Sequence, residues 1–127
     1  VRLGVAALDV TAGELVWRHD NPAPACAEND VSCLRGNSAA TTAVSDAVFT
    51  GSMDGIIRAI SAHDGSNFWE FNMDRAFATV NAVKGSGGSV EGPGPVVAND
   101  KLYILSVYTT NLGSAGNVLL AFKLDSK

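Results

Sequence analysis

The sequence predicts an all-β fold. Three observations carry this: short β-branched and aromatic runs set off by turn residues, no capped 3.6-residue apolar stripe, and an internal repeat. The apolar runs fall at 15–17, 47–50, 56–60, 102–107 and 118–124, with Gly, Asn, Asp and Ser between them. Runs of that length and punctuation are strands and turns; an amphipathic helix would need a longer stripe and caps. Met53-Asp54-Gly55 supplies the Asp-Gly of a tight hairpin between strands at 48–52 and 56–61.

The repeat sets the architecture. Ala7-Leu8-Asp9-Val10-Thr11-Ala12-Gly13-Glu14-Leu15-Val16-Trp17 aligns with Ala59-Ile60-Ser61-Ala62-His63-Asp64-Gly65-Ser66-Asn67-Phe68-Trp69, an offset of 52 residues. A third partial copy starts at Leu120-Ala121-Phe122, and the stretch at 44–50 resembles that at 98–104. A period of about 40–50 residues with four strands per unit is the arithmetic of a β-propeller. The strands expected lie at 2–9 and 14–19, then 41–44, 47–52, 56–61 and 67–72, then 95–98, 101–107 and 117–124. Residues 1–20 are the third and fourth strands of one blade, and 21–40 form a loop holding both cysteines. Residues 41–72 make a full blade, 73–91 a long connection, and 92–127 a last blade lacking its fourth strand. The expectation is an incomplete propeller segment of two to three blades, opening mid-pattern as an excised piece does. Another chain or segment is expected to supply the remaining blades, because these strands cannot close a ring.

Composition narrows the partners. Of 127 residues, 46% are hydrophobic and 17% charged, with a net charge of −4 and no Lys/Arg cluster. A nucleic-acid partner or an anionic membrane surface would select a basic face, so neither is expected. No apolar run approaches the roughly 20 residues of a membrane span. Cys26 and Cys33 sit close together in a short polar segment. A disulfide-closed loop there points to an extracytoplasmic, oxidising compartment; two unpaired thiols are the alternative. His19 and His63 offer no zinc-ligand spacing.

The motif Ala-x-Asp-x-x-x-Gly-x-x-x-Trp at 7–17 resembles the blade motif of pyrroloquinoline quinone (PQQ) propeller proteins. The Gly turns the chain between third and fourth strands, and the Trp stacks on the next blade. Trp69-Glu70-Phe71, Thr79-Val80-Asn81-Ala82-Val83, the stretch 87–97 and Gly116-Asn117-Val118-Leu119-Leu120-Ala121-Phe122 resemble the C-terminal region of polyvinyl-alcohol-dehydrogenase-like proteins. The likeness is close over 47–124. Departures are Ala12 and Asp64 where the family has Thr, Ser61 where the motif has Asp, and Ser106-Val107-Tyr108-Thr109-Thr110 where relatives have Ser-Gly-Tyr-Gly. The resemblance implies an eight-bladed quinoprotein that oxidises alcohols, passing electrons from PQQ, with calcium alongside, to an acceptor such as cytochrome c. The alternative is a cofactor-free extracellular propeller serving as a binding or assembly subunit.

Arg75, Thr79, Asn81 and Ser89, in the 73–91 connection, are the candidate cofactor-binding residues. Arg suits a quinone's carboxylates, and Asn or Thr its oxygens. The competing reading is that they serve the loop's own backbone. Gly85-Ser86-Gly87-Gly88 reads as a turn, since no helix N-terminus follows for a phosphate. Trp17 and Trp69 read as packing residues, Asp54 as a hairpin residue, and Glu91 as a channel-facing carboxylate suited to calcium or a base. No catalytic residue and no metal motif can be assigned.

Overall fold

A computed structural model of the chain describes residues 2–22, 34, 36–108 and 113–123. It contains eleven strands and no helix among the described residues. They are β1 (Gly4–Leu8), β2 (Leu15–Asp20), β3 (Thr42–Ala43), β4 (Ala47–Gly51), β5 (Ile56–Ser61), β6 (Asn67–Asn72), β7 (Ala76–Ala78), β8 (Lys84–Ser86), β9 (Val96–Ala98), β10 (Lys101–Leu105) and β11 (Leu119–Lys123). Every strand expected from the sequence is present, with ends within two residues. The addition is β7 and β8, which pair only with each other and turn the 73–91 connection into a small hairpin. The remaining sheets are β1-β2, β3-β4-β5-β6 and β11-β10-β9, all antiparallel. Cys26 and Cys33, with Thr109 and Thr110, lie outside the described residues.

The 52-residue repeat is a repeat of backbone geometry. Each copy carries a register shift at the same point, between Ala7 and Leu8 and between Ala59 and Ile60. Each ends in a glycine at positive φ, Gly13 at 69° and Gly65 at 75°, a conformation that costs a residue with a Cβ. The turn bonds also match: Asp9 N–H to Glu14 O and Gly13 N–H to Asp9 O, against Ser61 N–H to Ser66 O and Gly65 N–H to Ser61 O. Asp9 Oδ1 accepts the N–H groups of Thr11 and Ala12 at 2.8 and 2.9 Å. Ser61 Oγ takes the same two positions, His63 and Asp64, at 3.2 and 3.4 Å. The Asp-to-Ser departure therefore keeps its role at longer range.

The central sheet has two unlike faces. Ala47, Phe49, Ile57 and Ala59 join Met73, Val90, Leu102, Ile104 and Val118 in one apolar core, so the β9–β11 sheet packs on that side. Strand alternation sends the neighbouring residues the other way. There Arg58 is 2% exposed, Thr50 and Ser52 are buried, and Ile60 is sealed. That side is bound to the first sheet by polar contacts: Asn21 Nδ2 to Asn37 Oδ1 at 2.8 Å, then Asn37 Nδ2 to Thr50 Oγ1 at 2.7 Å. Trp17 closes the same seam. Its indole N–H donates to Ala62 O at 2.9 Å, and its ring lies so close to Gly65 that a Cβ there would sit 2.7 Å from Trp17 Cε3.

The segments leading into β3 and β9 touch, through Ala40 N–H to Gly92 O at 3.1 Å and Thr42 Oγ1 to Pro95 O. On the opposite edge, Trp69 of β6 meets Phe122 of β11 edge-on at 5.2 Å. β3 and β9 thus lie together at one edge of the packed sheets, and β6 lies at the other.

Candidate functional site

Antiparallel alternation gathers one set of connections at one end of the blades: the 52–55 turn, the 73–95 link and the 106–118 loop. Bonds between them make a continuous face. Met53 N–H reaches Gly36 O, Met73 N–H reaches Gly55 O, Val90 N–H reaches Ser52 O, and Val107 N–H reaches Ser89 O. Asp74 Oδ2 accepts from Ser114 Oγ at 3.0 Å. Asp54 Oδ1 accepts from Ser52 Oγ, which in turn accepts from Arg58 Nη1 at 3.0 Å. The guanidinium Nε of Arg58 has no hydrogen-bond partner among the described residues and stands 3.7 Å from Glu70 Oε2.

The four candidate residues divide on this face. Ser89 is fully buried; its hydroxyl donates to Met53 O and accepts from Ser114 N–H at 2.9 Å. It is a joint between three connections, with no surface for a ligand. Thr79 Oγ1 donates to Val83 O across the β7–β8 turn. Asn81 Oδ1 accepts from Val83 N–H at 3.4 Å in the same turn, while no hydrogen bond from its Nδ2 occurs among the described residues. Arg75 is exposed, with its guanidinium carbon 4.6 Å from the Phe71 ring centroid and 5.2 Å from that of Phe77. The two rings are themselves stacked at 6.3 Å. A guanidinium lying against ring faces keeps its N–H edge for another partner. Among the described residues Arg75 forms no ion pair.

Arg75, Thr79 and Asn81 thus belong to one hairpin, and Ser89 stands apart beneath the face. The hairpin rests on Phe71 of β6, the edge strand opposite β3. From β3 to β6 is three strand spacings, about 14 Å. No hydrogen bond joins Ser89 to Arg75, Thr79 or Asn81 among the described residues. Among the described residues no group of three His, Cys, Asp or Glu side chains could hold a metal ion, and no helix is long and apolar enough to cross a membrane.

Two residues that matter to this face had little sequence signal. Arg58 interrupts the apolar run 56–60, and a charge inside a buried strand was the available clue. Asn117 stood out only as part of the 116–122 motif, because its side-chain partners are 31 and 33 residues away.

The family model described as outer membrane protein assembly factor BamB, a PQQ-repeat family, matches residues 2–126. The chain belongs to the PQQ-type β-propeller family. Within that family it is 41% identical over 133 aligned positions to a polyvinylalcohol dehydrogenase from Pseudomonas sp, covering 98% of this chain and 21% of the relative. It is 33% identical over 135 positions to a polyvinylalcohol dehydrogenase from Sphingopyxis sp. (strain 113P3), with the same coverage of each. The chain spans about a fifth of the length of these curated relatives.

Proposed function

We propose that the chain forms two to three blades of a PQQ-dependent quinoprotein that oxidises alcohol groups, acting outside the cytoplasm. The likeness to two polyvinylalcohol dehydrogenases along nearly its whole length is the observation that carries this. PQQ, when bound, supplies a two-electron acceptor for a carbinol. The contacts that hold it come, in this reading, from other blades, supplied by the rest of the polypeptide or by a second chain. The part played by these blades is to build the ring and to present Arg75 and Asn81, whose side-chain N–H groups have no hydrogen-bond partner among the described residues, on the connection face. Thr79 and Ser89 support that face through the backbone. Cys26 and Cys33 form a disulfide in this reading, as an extracytoplasmic loop allows.

The test is PQQ titration of the full-length protein followed by dye-coupled oxidation of poly(vinyl alcohol) and of a short secondary alcohol. Saturable uptake of PQQ with turnover of either alcohol supports the assignment. A protein that neither takes up PQQ nor oxidises an alcohol refutes it and leaves the cofactor-free assembly subunit as the reading.

A further inference from the structure

The β7–β8 hairpin cannot hold itself in place. Its strands are three residues each, Ala82 in its turn sits at φ 59°, and Val80 is fully exposed. A two-stranded hairpin of ordinary length is marginal in water, and this one is shorter. It is fixed by Asn117, which acts as a one-residue strand on the free edge of β8. Asn117 Oδ1 accepts from Ser86 N–H at 2.8 Å, Nδ2 donates to Lys84 O at 3.1 Å, and the backbone N–H donates to Ser86 O at 2.8 Å. Gly85 lets β8 lie against Val118, where a Cβ would sit 2.8 Å from its Cγ1. Gly87 N–H donates to Arg75 O at 2.8 Å, and Phe77 of β7 forms half of the seat under the Arg75 guanidinium. The carboxamide of Asn117 thereby sets the position of Arg75.

What the hairpin presents is mixed. Arg75 and Asn81 offer N–H donors, and Val80 and Val83 offer exposed apolar side chains. It lies over β6, three strand spacings or about 14 Å from β3, which the propeller reading places at the axis. A small alcohol reacting near the axis would not reach it. A long chain of alternating hydrocarbon and hydroxyl groups would, and would match both kinds of side chain.

We propose that the β7–β8 hairpin is an outlying subsite for a polyhydroxylated chain, in which Arg75 and Asn81 donate to substrate hydroxyl oxygens and Asn117 is the positioning residue. This rests on the alcohol-oxidising reading above and names the substrate length that the face selects.

The experiment uses the full-length protein loaded with PQQ, its R75A, Asn81→Asp, N117A and R75A/N117A variants, and two substrates: poly(vinyl alcohol) and a short secondary alcohol. Asn81→Asp keeps the turn acceptor and removes the donor. The expected result is a rise of about three- to tenfold in the ratio of polymer KM to short-alcohol KM for each single variant, the loss of one hydrogen bond. N117A in the R75A background should add little, because one acts through the other. Amide exchange at 84–87 should quicken in N117A. A KM ratio unchanged in R75A and Asn81→Asp overturns the subsite, and unchanged exchange in N117A overturns the positioning role. Retention of the unloaded protein on a poly(vinyl alcohol) matrix separates the two readings. A parent that is retained but inactive, with R75A retained less, upholds the subsite while the oxidising role falls. A parent that is not retained, with equal KM ratios, overturns the subsite alone.

Discussion

Replacing Trp17 with alanine should open the seam between the first two blades. The ring is 8% exposed, lies flush on Gly65, and holds Ala62 O through its N–H. Truncating a buried Trp costs about 3–5 kcal/mol. The lower end is expected here, since the first sheet has two described strands and its Leu8, Leu15 and Val16 are exposed. Trp17→Phe keeps an aromatic face over Gly65 and loses the hydrogen bond, so it should cost about 1 kcal/mol. Gly65→Ala is the diagnostic partner. Its Cβ would sit 2.7 Å from Trp17 Cε3 at a φ of 75°. In the parent it suffers both the clash and the left-handed backbone; in W17A only the backbone cost of about 1 kcal/mol remains. The two substitutions should therefore be coupled by about 1 kcal/mol or more. Urea midpoints of the full-length variants, followed by circular dichroism because the tryptophan is itself altered, provide the measurement. A W17A variant within 1 kcal/mol of the parent, or a Gly65→Ala cost that is the same with and without Trp17, would refute the seam.

Two further outcomes can be checked on the same material. Hydrogen bonds from the Ser66 hydroxyl, then the Ser66 backbone N–H and the Ser61 hydroxyl, hold the Asp64 carboxyl at about 2, below its ordinary value. The folded state thus favours the ionised form; the stabilisation is complete above the ordinary carboxylate range and is lost as pH falls through about 4 to 2. Asp64→Asn should flatten the acid limb of a stability–pH curve in that window, and an unchanged limb would count against the bonds. Cys26 and Cys33 should resist alkylation until reduced and gain two adducts afterwards; adducts without reduction would remove the argument for an oxidising compartment.

The strands were legible in the sequence because each is a short apolar run bounded by turn residues, and the blade repeat because Gly13, Gly65, Trp17 and Trp69 keep their spacing. β7 and β8 were not. Ala76-Phe77-Ala78 and Lys84-Gly85-Ser86 are too short for a period, and what secures them is Asn117, distant in sequence. The same limit governs the candidate residues. Thr79 and Asn81 are polar loop residues whose neighbours could be guessed as turn partners. The burial of Ser89 follows from Met53 and Ser114, 36 and 25 residues away. Sequence named the connection that carries the hairpin; only the fold could say that it rests on β6, three strands from β3.

The two faces of the central sheet predict an order of events when the ring is strained. On one side hydrocarbon meets hydrocarbon, and any gap exposes apolar surface to water at once. On the other, the apolar contact is narrower, with Trp17 and Ile60 beside Asn21, Asn37, Thr50 and Arg58, whose polar partners water can replace at smaller loss. Heat, denaturant or a pulling force should therefore part the ring first at the Asn37–Arg58 side, releasing the first sheet while the central and last sheets still move as one body. A seam of that kind makes a natural breathing line, and a protease or a solvent-exchange probe would find the protein's weakest point there rather than in its hydrocarbon interior.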